Sequence, residues 1–370
     1  MTVHIFNPEH DLALAANLAN FTAPHAGRQL RYDLGFLPAL WAAEGDVVLT
    51  DNQEQAERMF RKVATAARKH LGLRLGDAPE WVPTDRPTDV LRRADALSPW
   101  GWDAALVARL RRLGVADATL PDDGRLAQIR ELSHRRTAAR LLPLLGECGD
   151  TIVRTAPTEC HTQEEVAETL QRYGRAVVKA PWSSSGRGIR FVGPDHSPQV
   201  FGGWLRNVLA QQGSVMVEPY YNKVKDFGME FTTLADGTLA YGGLSLFHTQ
   251  NGAYTGNILA TEAAKREMMS RYVSPDLLDK VKESICRCLP PLLQGHYQGP
   301  LGVDMMVCAG PISSEKFLLH PCVEINLRRT MGHVALTLSP ADDEVVGVMR
   351  IACTGGRYQM DITRNATCRN

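Results

Sequence analysis

The sequence has no surplus of charge: 41 Lys and Arg residues face 41 Asp and Glu residues. A chain without net charge sets up no overall field to recruit nucleic acid or an anionic membrane, so any anion site must be local. Long apolar runs are missing too. No stretch approaches the length of a membrane span, and the opening MTVHIFNPEHDLALA has neither a basic leader nor a long apolar segment. These absences predict a cytoplasmic protein with neither nucleic acid nor membrane as partner. Paired cysteines are also lacking. The eight cysteines (148, 160, 286, 288, 308, 322, 353 and 368) are scattered, mostly inside apolar runs. Cys286 and Cys288 form a CxC and Cys160 precedes His161, but neither is a zinc set, and the cysteines read as reduced, mostly buried thiols. There is no GxxxxGK[ST] loop and no GxGxxG after the first apolar run, which argues against P-loop and dinucleotide-binding folds. KDFG at 225–228 lacks the preceding glycine-rich loop and HRD-type segment that a protein kinase needs.

What is present is 370 residues, too many for one ordinary core, with no internal repeat. VHIF (3–6) and GDVVLTDN (45–52) read as buried strands. Ala56, Met59, Phe60, Val63, Ala67 and Leu71 share one face of a helix from Gln53, which Gly72 can end. Strand, helix, strand, helix predicts a small parallel α/β domain over 1–121. The next segment, 122–215, reads as a small α+β lobe. It holds a helix over 122–145, a helix over 163–173 that Thr162 and Glu165 can cap, the strand RAVVKA, a helix near 198–212 and the strand SVMVEPYY. A third segment, 216–370, is strand-rich, with a turn at Asp236-Gly237 and strands at 301–308 and 317–326. Ser274-Pro275 and Ser339-Pro340 fit the openings of helices near 276–293 and 341–352.

Two stretches carry chemistry. In KAPWSSSGRGI (179–189), a lysine at a strand end is followed by serines and glycines. Small side chains and free N–H groups suit a loop that closes over phosphate oxygens, with Lys179 as a point charge beside it. GVDMMV and CVEINLRRTMGH supply the second. Asp304, Glu324 and Asn326 offer the oxygen ligands that Mg²⁺ uses together with substrate phosphates. Residues 324 and 326 point to one face of a strand, where Asp304 on a neighbouring strand can meet them. Glu324 lies in the apolar run LLHPCVEI, which favours a metal site over a glutamate salt-bridged to an arginine. Arg328 projects to the same side if the strand continues and could grip a carboxylate or phosphoryl group bidentately. Arg329 points away.

Lysine, glycine-rich loop, strand with glutamate, then Asp…Glu-x-Asn-x-Arg resembles, in order and spacing over about residues 130–335, the ATP-grasp superfamily, which includes biotin carboxylase and D-alanine–D-alanine ligase. The resemblance implies a fold of two α+β lobes clamping a nucleotide, preceded here by the small parallel α/β domain. It implies ATP and Mg²⁺. Lys179 matches the lysine at the phosphates, and Ser183 to Gly188, with Ser184, Ser185 and Gly186, match the closing loop. Glu218 matches the glutamate at the adenine edge, lined by Tyr220 and Tyr221. Asp226 or Glu230 matches the acceptor of the ribose hydroxyls. Asp304, Glu324 and Asn326 match the metal ligands, and Arg328 the arginine at the reacting group. The basic residue near the start of the small lobe matches Arg136 first and Arg135 second.

The expected activity is an ADP-forming carboxylate–amine ligase that works through an acyl phosphate, with a small-molecule carboxylate and an amine as partners. A small-molecule kinase on the same fold and a non-enzymatic nucleotide binder are the rivals. Asn7, His10 and Asp11, at the end of the first strand, are substrate candidates, because ligands bind at that edge of open α/β sheets; N-capping is the competing reading for Asn7 and Asp11. The stretch 247–260, rich in amides and glycine, reads either as an ordinary long turn or as a segment facing the second substrate, where His248, Asn251 and Asn257 are candidates. His25, Arg28 and Arg31 read as a solvated face, and His333 as a residue that orients Glu324 or the backbone. Nothing in the sequence bars a homo-oligomer.

Overall fold

The computed structural model describes residues 1–85, 89–183, 186, 188–193, 198–250, 253–310 and 317–365. Strands β1 (Thr2–Ile5), β2 (Val47–Thr50), β3 (Glu80–Pro83) and β4 (Ala96–Pro99) form a parallel sheet in the order β3-β2-β1-β4. Parallel strands are covered on both faces, and Val3, Ile5, Val47 and Leu49 are accordingly buried. The helix Gln53–Leu71 runs as its apolar stripe dictates. Asn52 caps its start, Gly72 ends it with a left-handed φ of 68°, and Ala56, Phe60, Val63 and Ala67 are buried.

A second sheet, order β5-β8-β6-β7, joins β5 (Thr158–Cys160), β6 (Ala176–Lys179), β7 (Ile189–Val192) and β8 (Val215–Pro219), all paired antiparallel. Helices Gln163–Tyr173 and Pro198–Gln212 back it, closing a core of Ala176, Val178, Val215 and Val217 with Val166, Leu205 and Val208. The third sheet has seven strands: β9 (Lys223–Thr233), β10 (Leu239–Gln250), β11 (Ala253–Leu259), β12 (Gly299–Ala309), β13 (Phe317–Asn326), β14 (Gly347–Thr354) and β15 (Arg357–Arg364). Their order is β13-β12-β9-β10-β11-β14-β15. Odd positions of β9 and β12, namely Phe227, Met229, Phe231, Leu301, Val303, Met305 and Val307, fill the core on one face. Even positions, Asp226, Glu230 and Asp304 among them, therefore share the other. A parallel α/β domain followed by two α+β lobes is the class that the sequence predicts.

Three expectations are corrected. The single helix over 122–145 is two, Asp123–Leu132 and Arg136–Leu145, broken at Ser133-His134-Arg135. Both pack on the large sheet rather than on the small lobe, because Ile129, Leu141, Leu142 and Leu145 join the core of Phe227 and Val303. The helix expected over 341–352 is strand β14: Val346, Val348 and Met349 are buried, and β14 pairs with β11 and β15. β14 and β15 carry Met349, Met360 and Ile362 into a core shared with Phe60 and Val63 of the first domain. The stretch 247–260, read as a long turn, is mostly β10 and β11.

Buried histidines tie this fold to pH. Burial, reinforced by Arg136 and Arg130, pushes the His134 imidazole down to about 3. Its Nδ1 accepts from the Arg136 amide at 3.0 Å. Burial pushes His320 down to about 4. An unfolded histidine titrates near about 6.5, so between there and about 4 the unfolded chain binds protons that the native chain refuses. The two histidines therefore withdraw stability as pH drops through that window, against the opposite contribution of Asp304, whose carboxyl burial raises to about 7. Denaturant midpoints measured at about pH 7 and about pH 5 should show it, and His134→Gln should flatten part of the slope. A slope unchanged by His134→Gln overturns this reading.

Candidate active site

The small lobe presents Lys179 at the end of β6 and Glu218 on neighbouring β8. Val177 lies opposite Glu218 and Lys179 opposite Met216, so the two charged side chains are diagonal neighbours on one face. Lys179 Nζ lies 2.5 Å from Glu218 Oε1, with side chains only 6% and 7% exposed. The chain then turns back into β7: the Ala180 amide donates to the Gly188 carbonyl at 2.8 Å and the Ile189 amide to the Gly186 carbonyl at 3.2 Å. This hairpin needs its glycines. Gly186 has a left-handed φ of 71°, and a Cβ on Gly188 would collide with the Ser183 side chain. Ser184 and Ser185 lie outside the described residues. Tyr221 packs edge-on to His320 with ring centroids 5.6 Å apart, and burial pushes its hydroxyl up to about 12. Tyr220 faces elsewhere: the Arg175 guanidinium sits 4.3 Å over its ring.

The large lobe presents the oxygens. Asp304 on β12 and Glu324 on β13 are directly opposite each other in the antiparallel register, and Asn326 Nδ2 donates to Asp304 Oδ2 at 3.0 Å. Burial, then the nearby charges of Glu324 and Glu230, pushes the Asp304 carboxyl up to about 7. Two crowded carboxylates plus an amide form a hard-oxygen donor set whose electrostatics call for a cation, so the residues fit Mg²⁺. Among the described residues no group of three His, Cys, Asp or Glu side chains could hold a metal; this set is completed by an amide.

Arginines close the cleft. Arg135, the second choice from sequence, reaches it: Nη1 is 2.8 Å from Glu324 Oε2. The salt bridge weighed against a metal site is thus present at the same glutamate. Arg136, the first choice, turns away to Glu131 at 3.0 Å and Glu159 at 2.9 Å. Helical geometry separates the two: Arg135 lies in the break before the helix, and Arg136 opens its next turn. Arg328 is held by Asp11, with Nε and Nη2 each 2.9 Å from one carboxylate oxygen. Burial works against the Asp11 charge, but Arg328 holds that carboxyl below the usual range. The fork expected to grip substrate is therefore engaged by the first domain. His10, Asp11, Ser183, Glu324 and Asn326 line one common recess.

Other candidates have structural partners. Asn7 donates to the Gly101 carbonyl at 2.8 Å, and His10 Nδ1 lies 3.2 Å from Asp103; both are buried, and the N-cap of the first helix is Glu9. Asp226 binds Lys223 at 2.6 Å and Thr249 at 2.7 Å. Glu230 is buried, accepting from Thr330 Oγ1 at 2.8 Å with His333 Nδ1 at 3.0 Å. A Cβ on Gly332 would collide with Glu230 Oε1, so helix Met331–Thr337 packs directly on this carboxylate. His333 caps that helix and meets Glu230, not Glu324. Asn257 is fully buried, donating to Ser245 Oγ at 2.8 Å and bonded by Tyr254. His248 sits on β10, where burial, Lys225 and Arg350 depress its imidazole. Asn251 lies outside the described residues. Arg31 is no solvated side chain: it pairs with Glu9 and, at 2.8 Å, with Asp51. His320 was missed from sequence; only its distant contact with Tyr221 marks it.

A parallel α/β domain and two α+β lobes, one bringing a lysine and a glycine hairpin and the other two carboxylates and an amide, form the arrangement that the motif order resembles. No family model matches the chain, and no curated protein matches it in sequence. Among solved structures it is similar to N5-carboxyaminoimidazole ribonucleotide synthetase from Thermus thermophilus, at 14% identity and a TM-score of 0.49 over 99% of this chain and 94% of that one. It is also similar to N5-carboxyaminoimidazole synthetase from Staphylococcus aureus complexed with ADP, at 14% identity and 0.47 over 95% and 82%. Biotin carboxylase from Campylobacter jejuni follows at 12% identity and 0.47, over 95% and 76%. No helix among the described residues is long and apolar enough to cross a membrane.

Proposed function

We propose that the protein is an ATP- and Mg²⁺-dependent ligase of the ATP-grasp type, joining a small-molecule carboxylate to an amine through an acyl phosphate with release of ADP and phosphate. The observation that carries this reading is the meeting of the two lobes: Arg135 ties Glu324 of the large sheet to the segment after Lys179 in the small one. Asp304, Glu324 and Asn326 would hold the metal, which supplies charge neutralisation at the phosphates. Lys179 and Arg135 would bind the polyphosphate, and Glu218, Tyr221 and His320 would face the base end of the nucleotide. The reaction needs positioning and fixed charge more than covalent help from a side chain.

The engagement of Arg328 by Asp11 favours a second reading, phosphoryl transfer to a small-molecule hydroxyl, since the fork that distinguishes a carboxylate acceptor is already filled. Incubation with Mg-ATP and pooled metabolites separates the two. A ligase yields ADP, phosphate and an amide, and a heavy oxygen isotope placed in the acceptor carboxylate appears in the phosphate. ADP with a stable phosphoester would favour the kinase, and stoichiometric AMP would sink both.

A further inference from the structure

Arg135 holds both lobes at once. Its side chain is buried at the helix break, 7% of the residue being exposed. Nη1 meets Glu324 Oε2 at 2.8 Å, Nε donates to the Ala180 carbonyl at 3.0 Å, and Nη2 donates to Ser183 Oγ at 3.2 Å. Its backbone amide donates to the Pro181 carbonyl at 3.4 Å. One edge of a single guanidinium thus grips a candidate metal ligand, while the other grips the root of the glycine hairpin. Among the described residues Glu324 makes no other ion pair, and the donor of Asn326 is spent on Asp304.

We propose that Arg135 competes with the divalent ion for Glu324, and that nucleotide binding, by offering Arg135 a phosphate in exchange, releases Glu324 to the metal. This rests on the reading of the cleft as an ATP and metal site. A divalent ion arriving alone must share the Glu324 carboxylate with a guanidinium whose charge repels it, displace that buried guanidinium from its carboxylate partner, or accept only Asp304 and Asn326. A polyphosphate removes that penalty, because guanidinium binds phosphate oxygens as well as carboxylate oxygens. Metal and nucleotide therefore help each other onto the protein, reciprocally.

The test measures Mn²⁺ binding by electron paramagnetic resonance, with no turnover involved. Arg135→Gln should bind Mn²⁺ alone about tenfold more tightly than the parent protein, within the range of ordinary site coupling. Arg136→Gln, which removes a charge one residue away without touching Glu324, should change it by no more than about twofold. In a Glu324→Gln background, Arg135→Gln should lose its effect. Unchanged or weaker Mn²⁺ binding in Arg135→Gln overturns the competition and makes Arg135 a residue that positions Glu324. Equal gains from Arg135→Gln and Arg136→Gln also overturn it, reducing the effect to general field. Should Arg135→Gln not fold, Arg135→Met, which keeps the aliphatic stem and removes the charge that competes for Glu324, must still gain affinity; no gain refutes the idea. A parent protein that binds Mg-ADP but shows no gain in Arg135→Gln fails this inference alone, whereas one that binds neither Mn²⁺ nor ADP fails the reading of the cleft and the inference with it.

Discussion

Lys179→Ala is expected to lose roughly 10²-fold or more in Mg-ATP affinity or turnover, the scale for one preorganised charge in a closed site, and to unfold more easily as well. The second effect follows from Glu218. Its carboxylate is buried 2.5 Å from the lysine ammonium, and removing one partner of a buried pair strands the other charge at a cost of about 3–5 kcal/mol. Lys179→Ala/Glu218→Gln separates the two effects. Neutralising the stranded carboxylate should recover most of the denaturant midpoint, while titration calorimetry still finds nucleotide binding weak. A single variant with parental ATP affinity would remove Lys179 from the site, and a double variant as fragile as the single would refute the stranded charge.

Glu324→Gln and Asn326→Ala should each reduce turnover by about 10²–10³-fold, as expected for loss of a charge-stabilising contact at the reacting centre, and both should remain folded. Glu324 is half-buried at the cleft rather than packed in the core, and a glutamine oxygen can still accept from Arg135. Asn326→Ala removes the hydrogen bond that favours ionised Asp304, so the Asp304 carboxyl, already pushed up to about 7, moves further up. Circular dichroism and the thermal midpoint report folding; ADP release reports turnover. Parental activity in either variant would dissolve the oxygen set.

Where one local rule acts alone, the sequence is readable. Helix Gln53–Leu71 has the bounds that its apolar stripe, Asn52 and Gly72 demand, and β13 spans 317–326 as its apolar run indicates. Ser274 caps Pro275–Leu293 as expected. Local rules mislead where two compete. Ser339-Pro340 is a sound helix opening, yet β14 wins because Val348 and Met349 bury against neighbours supplied by β11 and by the first domain. The oxygens Asp304, Glu324 and Asn326 were legible because a strand's two-residue period fixes which face they share. The choice between Arg135 and Arg136 was not, since it depends on a helix break only a residue wide. Nor was the Asp11–Arg328 bridge, whose partners lie 317 residues apart in sequence.

That bridge makes the molecule less modular than its three sheets suggest. Besides Asp11 on Arg328, the first domain gives Asp33 to Arg357 at 2.7 Å, Lys62 to Asp361 at 2.7 Å, and the Trp100 carbonyl to the Arg329 amide at 2.8 Å. A chimera that exchanged residues 1–121 for another parallel domain, in the hope of a new substrate, would inherit an arginine with its acid removed. The smallest transferable unit is therefore the first domain together with Arg328, β14 and β15, and a replacement domain would have to bring its own acids to Arg328 and Arg357.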